Sequence, residues 1–287
     1  MDNMKYKFAE DITAIRKILE VSQEEFADRI GIRRATISEN ENGEINPSDE
    51  LLEKVYGYAY SRGARLNRIK EMLYRDDLRK DEILLFHGAK SDIIGDIDLK
   101  HGRRNNDFGP GFYMGESYEQ ALSFVSTFER SSVYFGIFNP NGLKKKVYGV
   151  NLEWMLTIAL YRGTLDEYTD NKIVMNLKKT AESADYIIAP IADNRMFQII
   201  HSFIYGEITD MQCMHCLSAA NLGMQYVFTS QKAIHNLKLV EKCYVPMNER
   251  KYYAKIRLQD MKLGDDKVKV ARLKYRGQGK YIDEVLK

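Results

Sequence analysis

The first eighty residues carry apolar positions three and four apart, the spacing of amphipathic helices. Ile12, Ile15 and Leu19 mark one helix. Ser22-Gln-Glu-Glu25 has the form of a capping box and opens a second, with Phe26, Ala27 and Ile30 apolar. Gly31 breaks it, Arg33 to Glu41 make a third, and Asn42-Gly43 stops that one. Two short helices around a glycine turn make a helix-turn-helix pattern. Asn46-Pro47-Ser48-Asp49 is a turn and N-cap opening a helix through Tyr60. Ser61-Arg-Gly-Ala is a break. From Arg65 to Lys80 basic and acidic residues alternate, as on a solvated helix joining two domains.

Past residue 80 the period changes. Ile83-Leu-Leu-Phe86 is an apolar run ending on His87-Gly88, as when a buried strand delivers a polar residue to a cleft edge. Asp107-Phe-Gly-Pro-Gly-Phe-Tyr-Met114 hands an aromatic strand to the same region through a glycine-rich turn. Ser117, with Gln120 three residues on, opens a helix carrying Ala121, Phe124, Val125 and Phe128. A turn cluster at Phe138 to Gly142 is followed by Lys144-Lys-Lys146 and a strand over Val147 to Asn151. Trp154 to Tyr161 reads as a buried helix. Tyr186 to Pro190 reads as a buried strand that ends at Asp193-Asn194-Arg195, where a helix with Phe197, Ile200 and Phe203 begins. Ser218 to Leu222 ends a further helix, Gln225 to Phe228 is a strand capped by Thr229, and Leu237 to Val245 is another. Val268 to Leu273 alternates like an edge strand.

A chain of 287 residues is long enough for two domains, each with its own core. A net charge of +2 argues neither for nor against nucleic acid as a global partner. Apolar runs such as Tyr186 to Ala192 are too short to cross a bilayer, and the N-terminus lacks the pattern of a secretory signal. Three cysteines, an odd number, suit a reducing cytoplasm. Cys213-Met-His-Cys216 lacks the second pair of a zinc site and reads better as a buried helix face, so no metal is expected. The segment from Arg250 to Lys287 is basic, with lysines and arginines interleaved with tyrosines. It is either a solvated surface or a face that guides an anionic substrate.

The N-terminal segments Ser22-Gln23-Glu24-Glu25-Phe26-Ala27, Gly31-Ile32, Thr36-Ile37-Ser38 and Glu41-Asn42-Gly43 resemble the Cro/phage-repressor (XRE) family of helix-turn-helix domains. The resemblance implies DNA as a partner, with base-reading side chains near the start of the second helix at Arg33, Arg34 and Ala35, and Thr36 also among the DNA-binding residues. It puts Gln23 and Ser38 near phosphates. Two positions depart from the family: Ala35 has no hydrogen-bonding group, and Glu39 is negative where a lysine is common. The alternative is a helical module for dimerisation or a protein partner. Domains of this family commonly pair to match two half-sites, which implies a homodimer.

The C-terminal segments resemble the ADP-ribosyltransferase fold of the His-Tyr-Glu type, and within it a bacterial family of domains (DUF3990). The family's pattern of His-Gly, Asp-Phe-Gly-x-Gly-Phe-Tyr, Ala-Asp-(Asn/Asp)-Arg-Met-Phe and a late Gln before a short strand and Thr is met at four places. These are His87-Gly88, Asp107 to Tyr113, Ala192 to Phe197 and Gln225 to Thr229. The resemblance implies an α+β fold: an all-helical domain over 1–66, a helical linker over 67–80, a mixed domain with a split antiparallel sheet over 81–245, and a basic extension over 246–287. It assigns His87 to the ribose hydroxyls of NAD, the Gly88 backbone to the carboxamide, and Tyr113 to stacking under the nicotinamide. Gly111 and Phe112 belong to the same strand. Phe124 is either a second stacking aromatic or a core residue. Gln225 stands where the best-known enzymes carry Glu, so it holds the ribose 2′-hydroxyl without a full charge. Asp193 is then either the missing carboxylate or a helix N-cap, and Arg195 pairs with the pyrophosphate or with Asp193.

These assignments imply an enzyme, an NAD-dependent mono-ADP-ribosyltransferase of the toxin or phage-defence effector type. It would use NAD as substrate and no metal, with a protein or nucleic-acid acceptor and a cognate antitoxin as partners and no membrane attachment. The alternative is a transcriptional regulator whose C-terminal domain binds NAD or ADP-ribose without catalysis.

Overall fold

Capping side chains set the limits of most helices. The structure, a computed structural model, describes residues 4–99, 102, 104–219 and 223–287. The chain runs through α1 (Phe8–Ile18), α2 (Gln23–Ile30), α3 (Arg34–Glu41), α4 (Asp49–Ser61) and α5 (Leu66–Asp76) before the first strand. Then come β1 (Ile83–Ala89), β2 (Phe112–Gly115), α6 (Tyr118–Val125), β3 (Ser132–Phe138), β4 (Lys145–Val147), α7 (Leu152–Tyr161) and α8 (Lys172–Glu182). The remainder is β5 (Tyr186–Pro190), α9 (Asn194–Ile204), α10 (Asp210–Ala219), β6 (Met224–Phe228), α11 (Gln231–His235), β7 (Leu237–Tyr244), α12 (Met247–Lys274) and α13 (Ile282–Val285). Ser22 closes the capping box on α2, Ser48 caps α4, Ser117 caps α6 and Asn151 caps α7. The fold is α+β: helices first, then strands that are mostly antiparallel and do not close into a barrel. The end of the helix expected to run to Leu222 lies partly outside the described residues.

The chain divides into two units, and the first comprises Met1–Asp96, Ser117–Phe138 and Lys238–Ile256. Its helical part packs around Ile12, Ile15, Phe26, Ile37 and Val55, all fully buried. Its strands run in the order β1-β3-β7, with β1 antiparallel to β3 from Ile83 opposite Phe138 to Ala89 opposite Ser132. Phe86, Tyr118, Leu122, Val133 and Phe135 form the core beneath α6.

A buried charge network binds the helices of this unit to β7. Lys70 of α5 donates to Asp11 of α1 at 2.6 Å and to Glu241 of β7 at 2.9 Å. Lys7 and the Tyr74 hydroxyl complete Glu241 at 2.8 and 2.9 Å, and the Tyr56 hydroxyl donates to Asp11 at 2.5 Å. Burial opposes the Lys70 charge, but the carboxylates of Asp11 and Glu241 outweigh it and lift its pKa above the ordinary value. In the segment read as a solvated linker, Arg75, Asp76, Asp77, Arg79 and Lys80 are exposed, whereas Lys70 is mostly buried and Glu71 is buried between Arg68 and Arg75.

The second unit comprises Ile97–Glu116, Asn139–Leu237 and Arg257–Lys287. Its strands run β4-β5-β6-β2, with β4 parallel to β5 and the other two pairings antiparallel. Trp154, Met155, Ile158, Ile200, Phe203 and Val227 fill the core. Two sequence expectations are corrected. The strand expected over Val147 to Asn151 is instead β4 at Lys145–Val147, whose residues pair with Tyr186, Ile187 and Ile188, and Tyr148 to Asn151 lie outside it. The edge strand expected over Val268 to Leu273 is the last part of α12. Six alternating residues mimic a strand, but over the longer stretch the less exposed positions are Met261, Gly264, Val268, Ala271 and Tyr275, a helical period.

Candidate functional site

The glycine-rich turn before β2 is anchored by Asp107. One carboxylate oxygen accepts from Arg162 Nε at 3.0 Å and Nη2 at 2.5 Å. The other accepts from the Ala192 backbone N–H at 3.1 Å and from Gln225 Nε2 at 2.8 Å. Gln225 Nε2 also donates to the Pro190 carbonyl at 3.2 Å. Arg162, at the C-terminus of α7, donates to the Ala192 carbonyl at 2.8 Å and lies over the Phe197 ring at 4.7 Å from its centre. One buried carboxylate thus ties together four segments of the second unit: the turn, the end of α7, the loop after β5, and β6. Asp107 is 5% exposed and Gln225 7%.

Tyr113 is fixed by its own turn. Its hydroxyl donates to the Gly109 carbonyl at 2.7 Å and accepts from the Phe108 N–H at 3.1 Å. Burial pushes the phenol well above its ordinary pKa, so it remains a neutral donor. Gly109 has φ of +71°, and a Cβ there would lie 2.8 Å from the Tyr161 ring. The turn therefore needs glycine on two counts. Phe112 and Tyr113 are half-buried on β2, opposite Phe228 and Val227, and the Gly111 backbone lies against Phe228.

Asp193 caps α9. Its Oδ1 accepts from the N–H groups of Arg195 and Met196, both at 3.0 Å. Arg195 pairs with Asp193 at 3.3 Å, and its Nη1 donates to the Met261 carbonyl and to Asp265, both at 2.9 Å. Of the alternatives open in the sequence, these contacts correspond to the N-cap and to the Asp193–Arg195 pair. Cys213 and Cys216 face inward from α10 toward the carbonyls of Ile199 and Val268, at 3.6 and 3.7 Å.

His87, Gly88 and Phe124 lie in the first unit. His87 is half-buried near the end of β1, opposite Tyr134 of β3. The α6 backbone crosses so close over Gly88 that a Cβ there would run into the Ala121 carbonyl oxygen. Phe124 is 36% exposed on α6, unlike the core aromatics of the same unit.

In the helical part, Arg33, Arg34 and Ala35 stand exposed at the start of α3, with Thr36 and Ser38 half-buried behind them. Gln23 is engaged: its Nε2 donates to Glu41 at 2.6 Å, and Glu41 also takes Arg16 Nε at 2.5 Å and Nη2 at 3.0 Å. Burial opposes the Glu41 charge, but the Arg16 and Gln23 bonds outweigh it and hold its carboxyl below the ordinary value.

The DUF3990 family ("Protein of unknown function (DUF3990)") matches residues 83–239, more than half of the chain. The chain belongs to the DUF3990 family. A second match, to helix-turn-helix domains, covers residues 12–55 and supports DNA binding or regulation by the N-terminal part. No curated protein and no solved structure matches the chain. The DUF3990 segment contains His87, Tyr113, Asp193 and Gln225, whereas α12 lies beyond it. Sequence reasoning took Asp107 only as the head of the DUF3990 motif and passed over Arg162 altogether. The one signal for Arg162 was a cation ending the otherwise apolar run of α7 before Gly163. No helix among the described residues is long and apolar enough to cross a membrane.

Proposed function

We propose that the DUF3990 domain is an NAD-dependent mono-ADP-ribosyltransferase and that the helix-turn-helix domain brings it to DNA. The observation that supports this best is the held amide of Gln225. Two acceptors, Asp107 and the Pro190 carbonyl, fix its nitrogen, and its oxygen has no donor among the described residues. That oxygen is suited to a ribose hydroxyl. In the reaction, the bond between the ribose anomeric carbon and the nicotinamide nitrogen breaks, and its electron pair leaves with nicotinamide. An acceptor nucleophile bonds to the same carbon and releases its proton to solvent. The sugar becomes oxocarbenium-like on the way, as in glycoside cleavage. The resemblance assigns His87 and Gly88 to the ribose and carboxamide; the Tyr113 ring is held in a rigid turn, so little ordering of that side chain is left to the moment of reaction. Without a carboxylate at position 225 the field on the cation is weaker, which fits transfer of one unit rather than chain growth.

Expression of the full chain in a bacterial host tests the proposal. Growth arrest that Tyr113→Ala abolishes is the expected result, and growth unaffected by wild-type protein made in quantity contradicts it. The second reading, a regulator that senses NAD or ADP-ribose, draws support from the Lys70 network. It makes the DNA-binding helices and β7 parts of one unit, a route by which ligand and operator affinity become linked. An operator affinity that shifts with NAD, without NAD loss, favours that reading.

A further inference from the structure

We infer that Asp107 is the positioning residue that decides which face Gln225 offers to its ligand. The inference rests on the transferase reading for the role of Gln225, and on the geometry for everything else. The two ends of a glutamine amide differ only in what they bond: the nitrogen donates and the oxygen accepts. Asp107 Oδ2 at 2.8 Å and the Pro190 carbonyl at 3.2 Å are both acceptors. Only the amide nitrogen satisfies them, so the oxygen is turned the other way. Asp107 in turn cannot rotate. Arg162 grips its other oxygen through two N–H groups, and the Ala192 N–H fixes the first.

The same geometry explains why position 225 suits an amide better than a carboxylate. A carboxylate there would face Asp107 and a carbonyl, three acceptors with no proton among them. Arg162 already answers the Asp107 charge from the opposite side. The negative charge at this site therefore sits one hydrogen bond behind the ligand-facing group. Through a charge-assisted bond to the amide nitrogen it draws electron density toward the amide oxygen.

The test compares four full-length proteins: wild type, Asp107→Asn, Gln225→Glu and the double variant. Nicotinamide release from NAD and thermal unfolding are measured on each. In Asp107→Asn, kcat falls about tenfold while KM for NAD changes less than about threefold, the split expected when an interaction made in the transition state is lost. Gln225→Glu alone loses more activity and unfolds at a lower temperature. Adding Asp107→Asn restores about tenfold of that activity and part of the lost unfolding temperature, because an amide then faces the new carboxylate. Losses that simply multiply, with no recovery in the double variant, overturn the inference. Should wild-type protein release no nicotinamide, the transferase reading fails. Thermal unfolding then decides the positioning role alone: a double variant more stable than Gln225→Glu supports it, and one equally or less stable overturns it.

Discussion

Glu249 makes the stability of the first unit depend on pH. It lies in the first turn of α12 with 4% exposure, and the Tyr118 hydroxyl donates to its Oε1 at 3.1 Å. Burial raises its pKa from 4.5 to about 7; the Tyr118 bond, the Arg65 charge and the Asn67 side chain offset only part of that. The folded protein therefore binds this proton more tightly than the unfolded chain does. The contribution is fully present below about pH 4.5, is lost as pH rises through about 7, and is flat above that. A shift of this size corresponds to about 3 kcal/mol for a buried group. Chemical denaturation at intervals from pH 5 to 8 should show wild type losing stability of that order relative to Glu249→Gln. The variant keeps the shape and hydrogen bonds but has no proton to lose, and the histidines cancel in the comparison. Parallel profiles for the two proteins would refute the reasoning.

Three further outcomes follow from the same contacts. Lys70→Met leaves Asp11 buried without its cation and Glu241 with Lys7 alone, and should cost about 3–5 kcal/mol in urea unfolding; a loss under about 1 kcal/mol would mean the network is solvated. Gly88→Ala forces a methyl group against the Ala121 carbonyl and should lower stability by about 1–3 kcal/mol, read as a fall in unfolding temperature. No fall would show that α6 does not press on β1 there. Arg33→Ala and Arg34→Ala should each weaken DNA binding, and a phosphate contact among them should reduce the slope of log affinity against log salt by about 1. Anisotropy titrations at several salt concentrations measure this, and unchanged binding in both variants would move the DNA-facing surface away from α3.

The helix-turn-helix was legible because its signals are local: a capping box at Ser22, a glycine after Ile30 and apolar residues at helical spacing. The strands β1, β2, β5 and β6 were legible for the same reason, each being an apolar run next to a marked turn. What the sequence hid is what depends on distant partners. Nothing near Lys70 announces Asp11 and Glu241, so its helix read as a linker. Nothing near Gln225 announces Asp107, which lies 118 positions away. The site was thus visible as a set of motifs, while the bonds that orient its side chains were not. Val268 to Leu273 shows the opposite failure, a local alternation with no partner strand to realise it.

The central claim is transfer of ADP-ribose from NAD, and one incubation tests it most directly. Purified full-length protein and His87→Ala are each given NAD labelled on the adenylate in a cell lysate. The account predicts label fixed to a protein or nucleic-acid band with wild type and absent with the variant, alongside release of nicotinamide. Intact NAD after prolonged incubation, with NAD binding retained, would contradict it and leave a DNA-binding sensor.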